Sequence, residues 1–238
     1  RPLIAAWILV FPLILFLFQA FGGVAPLRWG GVMLNLLLAY VAVFLSFPVG
    51  VLLAFGRRST LPVIRTFCVG MIEFIRGAPL VTWLLFSQFV LPLLIPQVGL
   101  PAFVRIAAAF TVFSSAYVAE IVRGGLQGVH EGQFEAARAL GLSTLKMNRL
   151  IVLPQALRNT IPAMIGHFIS LVKDTTLVGV IGGFIDVLRA ARASAASLTF
   201  LGDIREALLA AAFLLWILTF SMSRWSQRLE RRLGVGER

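Results

Sequence analysis

His167, Ser170 and Asp174 fall within a long apolar stretch of this chain, at spacings of three, four and seven. At 3.6 residues per turn, seven positions return nearly to the same helix face. An imidazole, a hydroxyl and a carboxylate then form one polar stripe. The carboxylate accepts hydrogen bonds from an ammonium group, and the imidazole faces a side chain or a carboxylate. Thr175 follows directly, and Ser114 adds a hydroxyl from a second apolar stretch. Ionised groups in such surroundings are costly and point to function by default. A structural reading stands beside this one, with Asp174 bonded to Lys173, to backbone amides, or to Thr175 and Thr176. Lys173 points to another face and ties its helix to a neighbour.

These residues offer recognition rather than bond cleavage. Two histidines, one cysteine and ten acidic residues make no metal or nucleophile constellation. A phosphate-binding loop needs Gly-Lys followed by Ser or Thr, whereas Lys146 follows Leu145 and Lys173 follows Val172. The chain is therefore read as no enzyme, with no cofactor and no metal of its own.

The elements that hold the stripe are membrane helices. The sequence has 238 residues, is 59% hydrophobic and only 13% charged, against about 25% charged in soluble domains. A bilayer-crossing helix needs about 20 apolar residues, and six segments qualify: Pro2 to Phe21, Gly31 to Phe55 with a kink at Pro48, Gly77 to Ile95, Phe103 to Ile121, Asn159 to Gly182, and Glu206 to Met222. The expected fold is an all-α integral membrane bundle. Residues 1–28 form an extra N-terminal span that is retained rather than cleaved, 29–233 the main domain and 234–238 a tail. The start at Arg1 suggests a truncated chain.

The net charge of +11 raises nucleic acid as a partner, but the basic residues are scattered at the ends of apolar runs and do not cluster. Of 21 basic residues, 15 fall on one side of the spans and 5 on the other. The basic side is then cytoplasmic, with both termini and the segment 124–158 inside. Trp29 and Trp225 suit interfacial anchors, Cys68 a core position, and His130 a solvated loop. The run from Arg65 to Arg76 is amphipathic and reads as an interfacial helix or elbow, with a simple extension of the third span as the alternative. Glu73 and Arg76, like Glu120 and Arg123, are three residues apart on one helix face, as structural ion pairs or gate contacts.

The segment from Glu135 to Pro154 reads EAARALGLSTLKMNRLIVLP. Gln133 to Leu140 favours helix, Gly141 permits a left-handed stop, and Ser143 caps a second helix running to Leu153, where Pro154 kinks or ends it. Glu135, Arg138 and Arg149 offer charged contacts, and Ala136 and Ala137 allow close backbone approach. The pattern Glu135-Ala136-Ala137, Gly141, Ile151, Leu153-Pro154 resembles the signature loop of bacterial ABC importer permeases. Further runs, GRRSTLPVIR from Gly56, IEFIRGAPL from Ile72, SSAYVAEIVRGGLQGV from Ser114 and VKDTTLV from Val172, look like the polar and general L-amino acid permeases. The likeness spans about Trp29 to Leu233. His167 departs from the small polar or acidic residue expected there, and KDTT replaces KDTS.

The resemblance implies a type I ABC importer transmembrane fold in the bacterial inner membrane, with a cytoplasmic coupling helix. It implies a pair of ATP-binding subunits carrying ATP and magnesium, a second permease as homo- or heterodimer, a periplasmic binding protein, and an amino acid as cargo. A gradient-driven carrier or channel is the rival, since it explains intramembrane ions without an ATPase. That rival leaves the elaborate loop unexplained, and no internal repeat of the kind such carriers show is visible.

Overall fold

Long apolar runs in a bilayer satisfy their backbone groups internally, which leaves helices as the economical form. The computed structural model describes residues 30–181, 183–197 and 202–233, and these are helical almost throughout. The predicted first span and the tail lie outside them. Helix α1 runs Gly31–Arg57 and carries Pro48 inside it. Helix α2, Pro62–Arg76, starts with proline at its first position, where the missing N–H costs nothing. After a break of three residues, α3 (Leu80–Leu94) leaves at 97° to α2. The amphipathic run before the third predicted span is thus a helix of its own.

Helix α4 spans Ala102–Gln127. Two short helices follow, α5 at Glu131–Ala139 and α6 at Thr144–Met147. A wide π-turn, Asn148–Val152, leads from α6 directly into α7, Leu153–Asp174. Pro154 therefore does not end the helix, one of the two outcomes its position suggested. In an α-turn its ring meets the carbonyl four residues back. Here the amide of Leu153 bonds Asn148, five residues back, and the wider turn accommodates the ring. The same arrangement occurs in α3, where the π-turn Phe86–Val90 ends two residues before Pro92.

The fifth predicted span is also interrupted. Helix α7 stops at Asp174, two residues form a turn, and α8 covers Leu177–Ile181. A short extended pair, Ile185–Asp186, bridges in parallel to Gly30 and Gly31 at the head of α1. Asp186 is fully buried and caps α9, Val187–Ala195, accepting from the amides of Leu188 and Arg189. Helix α10, Ile204–Leu233, lies at the edge and is mostly exposed.

Among the described residues four helices are long and apolar enough to cross a membrane, or up to five if the bent α2–α3 pair counts as one span. The core sits where α1 crosses α4 and α4 crosses α7. Leu34, Leu38, Ile106, Phe110, Val118 and Leu126 are buried there. Glycine makes both crossings close. A Cβ on Gly50 would lie 2.5 Å from Val118 and 2.9 Å from the carbonyl of Ser115, and one on Gly125 would press on Thr160 and on the carbonyl of Ala156.

Candidate functional site

Two polar assemblies and one helical turn stand out in this apolar bundle. The turn joins α5 to α6. The ring of His130 caps α5 by accepting from the amide of Gly132 at 3.1 Å. At the other end Gly141 is left-handed, with φ 68°. Its amide donates to Arg138 at 2.9 Å, and the amide of Leu142 donates to Ala137 at 3.1 Å. This crossed pair closes the helix in a Schellman motif, which requires glycine or asparagine at the left-handed position. The side chain of Ser143 then caps α6. Ala137 is fully buried, so its small size serves this chain's own packing, whereas Glu135 and Ala136 face outward. Leu140 and Leu145, on either side of Gly141, are 76% and 78% exposed. Ile151 and Leu153 are half-buried behind them, and Pro154 is exposed.

The first polar assembly lies where α1, α4 and α7 meet. His167 Nε2 is 2.9 Å from Ser114 Oγ, which donates to Ser46 Oγ at 3.0 Å. Ser46 in turn donates to the carbonyl of Val43. Which of His167 Nε2 and Ser114 Oγ donates to the other depends on the tautomer of the ring. Tyr117 lies one turn along α4 and stacks on the imidazole at 5.6 Å with 12° between the planes. His167 and Ser114 are thus brought together as the sequence grouped them. Ser46 and Tyr117 were not foreseen. Tyr117 is one of only two tyrosines in the chain, and it falls in the run that already supplied Ser114.

Ser170, Asp174 and Thr175 make no hydrogen bond to this assembly. Ser170 is exposed on α7 and Asp174 is its last residue. Thr175 is fully buried, accepts from Asn35 Nδ2 at 3.0 Å and donates to Val172. Asn35 also accepts from the amide of Val187, which fastens α1 to α9 across the break. The hydroxyl of Thr175 is committed to that brace. Lys173 is exposed, beside Asp174.

The second assembly is centred on Glu120. Its carboxylate accepts from Arg57 at 2.5 Å, meets Arg123 at 2.9 Å and lies 3.7 Å from Arg76. Glu73 reaches Arg57 at 3.4 Å. The Glu120–Arg123 pair forms as the spacing suggested, but it is not a simple surface pair: Glu120 is only 16% exposed and serves three guanidinium groups. Glu73 and Arg76 do not pair with each other. Each turns to a different helix because tertiary partners lie nearer. Arg76 also sits over the ring of Tyr117, 5.4 Å from its centre. One continuous file therefore runs from the charged hub through Arg76, Tyr117 and His167 to Ser114 and Ser46.

Residues 46–235 match the family described as binding-protein-dependent transport system inner membrane component. The chain is 42% identical to the inner membrane amino-acid ABC transporter permease protein YhdY of Escherichia coli (strain K12), over 98% of this chain and 65% of that protein. It is 40% identical to the glutamate/glutamine/aspartate/asparagine transport system permease protein BztC of Rhodobacter capsulatus, over 87% of this chain and 48% of that one. The chain thus spans about half to two thirds of the length of these relatives. Among solved structures, the fold is similar to an amino acid ABC transporter crystallised with histidines, with a TM-score of 0.73 and 34% identity over 83% of this chain and 90% of that one.

Proposed function

The chain belongs to the family of binding-protein-dependent transport system inner membrane components, and from that premise we propose that it is the permease subunit of an ATP-driven importer of polar L-amino acids. Two ATPase subunits carrying ATP and magnesium drive it, a second permease copy or a related chain completes the path, and a periplasmic binding protein delivers the cargo. The basic side of the spans faces the cytoplasm, with both ends of the chain there.

The observation that carries this reading is the α5–α6 turn. It is capped at both helix starts and closed by a Schellman bond pair, and it presents Glu135, Ala136, Leu140 and Leu145 outward. A turn closed in this way, with an unpartnered outer face, suits the transmission of force from another protein. Ile151 lies in the π-turn and Leu153 and Pro154 begin α7 directly after it, so a push on the turn enters the bundle along unbroken helical backbone. ATP-driven closure of the partner subunits must favour one arrangement of these contacts over the other, since only differential contacts shift an equilibrium.

Cargo recognition is assigned to the file around His167 and Ser114, with Ser170 and Asp174 farther along α7. The second ring nitrogen of His167 can donate or accept, which suits a polar group of an amino acid. The hub of Glu120, Arg123, Glu73 and Arg76 is assigned to gating, because it clamps the ends of α1 and α2 to α4 beside that file. Family membership does not favour a gradient-driven carrier. The experiment is uptake in cells with Glu135 and Gly141 replaced: loss of uptake with normal membrane insertion supports coupling through this turn, and normal uptake refutes it.

A further inference from the structure

Between the loop after α1 and the α5–α6 pair lies a hollow of about 610 Å³. Its walls are of two kinds. Phe55, Ile64 and Phe134 line an apolar part, while Arg58, Arg138 and Asn148 line a polar part together with Ser59, Thr60 and Thr144. Neither arginine has a carboxylate within ion-pair distance among the described residues. An adjoining hollow of about 230 Å³ shares Arg58, Phe134 and Arg138 and contains Glu131, which pairs with neither. This contrasts with the hub nearby, where Arg57, the neighbour of Arg58, is doubly paired.

The position of the hollow selects its occupant. Arg58 immediately follows α1, so the cavity lies at the end of a membrane helix. Ile64 belongs to α2, whose Val63, Phe67 and Phe74 are 79%, 65% and 71% exposed. An exposed apolar face next to the end of a membrane helix suits acyl chains. Two guanidinium groups with adjacent hydroxyls and an amide match a phosphodiester. We propose that this hollow holds the headgroup of an anionic phospholipid, with its phosphate on Arg58 and Arg138 and its chains along α2. Bound there, the lipid joins the α1–α2 loop to the α5–α6 pair and braces that pair against the bundle.

The test uses the full chain in its purified transporter complex, stripped of lipid and titrated with short-chain phosphatidylglycerol under native mass spectrometry. Saturable binding is expected, with phosphatidylcholine much weaker and millimolar inorganic phosphate unable to displace the lipid. Each of Arg58→Gln and Arg138→Gln should weaken binding about fivefold and the double variant about 30-fold, from the surface energy of one basic residue. Arg149→Gln, on an exposed arginine outside the hollow, should leave binding unchanged. Should the double variant fail to fold, Arg58→Lys with Arg138→Lys keeps the charge and loses the fork, and must still weaken binding. Equal affinity for phosphatidylglycerol and phosphatidylcholine, or indifference to all these substitutions, overturns the site. Displacement by inorganic phosphate assigns the hollow to a free anion and overturns the lipid. An unstripped complex in which an acidic side chain of the ATPase fills the hollow does the same. ATP-dependent uptake is scored separately, so loss of this site leaves the permease reading intact.

Discussion

The amide of Leu142 reaches back to the carbonyl of Ala137 at 3.1 Å and closes the turn between α5 and α6. That bond exists because Gly141, between them, holds a φ of 68°. A side chain there costs about 1 to 2 kcal/mol in the left-handed region. Gly141→Ala should therefore loosen the turn without unfolding the bundle. The expected result is a near-normal melting temperature in detergent together with reduced retention of the ATPase subunit on co-purification. Gly141→Asn, which tolerates the left-handed region better, should fall between the two.

Glu120 and Glu73 make a second comparison. Glu120→Gln leaves Arg57, Arg76 and Arg123 without their shared carboxylate in a half-buried site, a loss of about 3 kcal/mol. Glu73 is 58% exposed and makes one contact at 3.4 Å. Glu73→Gln should cost less than about 1 kcal/mol. Thermal unfolding of the two variants side by side should show a clear drop for the first and almost none for the second.

His167 joins α7 to Ser114 by one hydrogen bond and to Tyr117 by stacking. His167→Phe retains the stack and removes the bond and the second ring nitrogen. The apparent KM for at least one transported amino acid should change about tenfold, the scale of one lost hydrogen bond, while insertion stays normal. An unchanged KM across a panel of polar amino acids would remove the file from cargo recognition.

Gly125 lets α4 and α7 meet with no side chain between them. Gly125→Leu should force the helices apart against the backbone at Ala156 and lower stability by about 2 kcal/mol or more. Gly124→Leu, one position away with open space around it, should be tolerated. The pair of melting curves separates a packing effect from a general cost of replacing glycine.

Much of the architecture was legible because apolar run length and charge placement speak directly to membrane helices. The helices α1, α4 and α10 contain their predicted segments, α1 with nearly the same ends and α4 and α10 running six and eleven residues farther, and Gly141 and Ser143 act as their types suggest. Pro154 does not end its helix. The rule that it breaks helices assumes an α-turn before it, and the wide turn ahead of Pro154 removes the clash. The break after Asp174 was equally hidden, since Thr175 and Thr176 have no strong breaking signal; the turn there is fastened by Asn35, 140 residues away. Asn35 itself was a readable hint, an amide in a long apolar run. Spacing along a helix paired Glu73 with Arg76, but partners on other helices won. Of the stripe of His167, Ser170 and Asp174, only His167 joins the polar file, through Ser114 on α4, a partner that spacing along one helix does not reveal.

The central claim is that force from a separate ATPase enters this bundle through the α5–α6 turn. The most direct measurement is amino acid uptake into vesicles containing the purified permease, its binding protein and ATP, with and without the ATPase subunits. Accumulation against a gradient is expected with them, and none without them or with Gly141 and Glu135 replaced. Uphill accumulation by the permease in the absence of the ATPase would contradict the account.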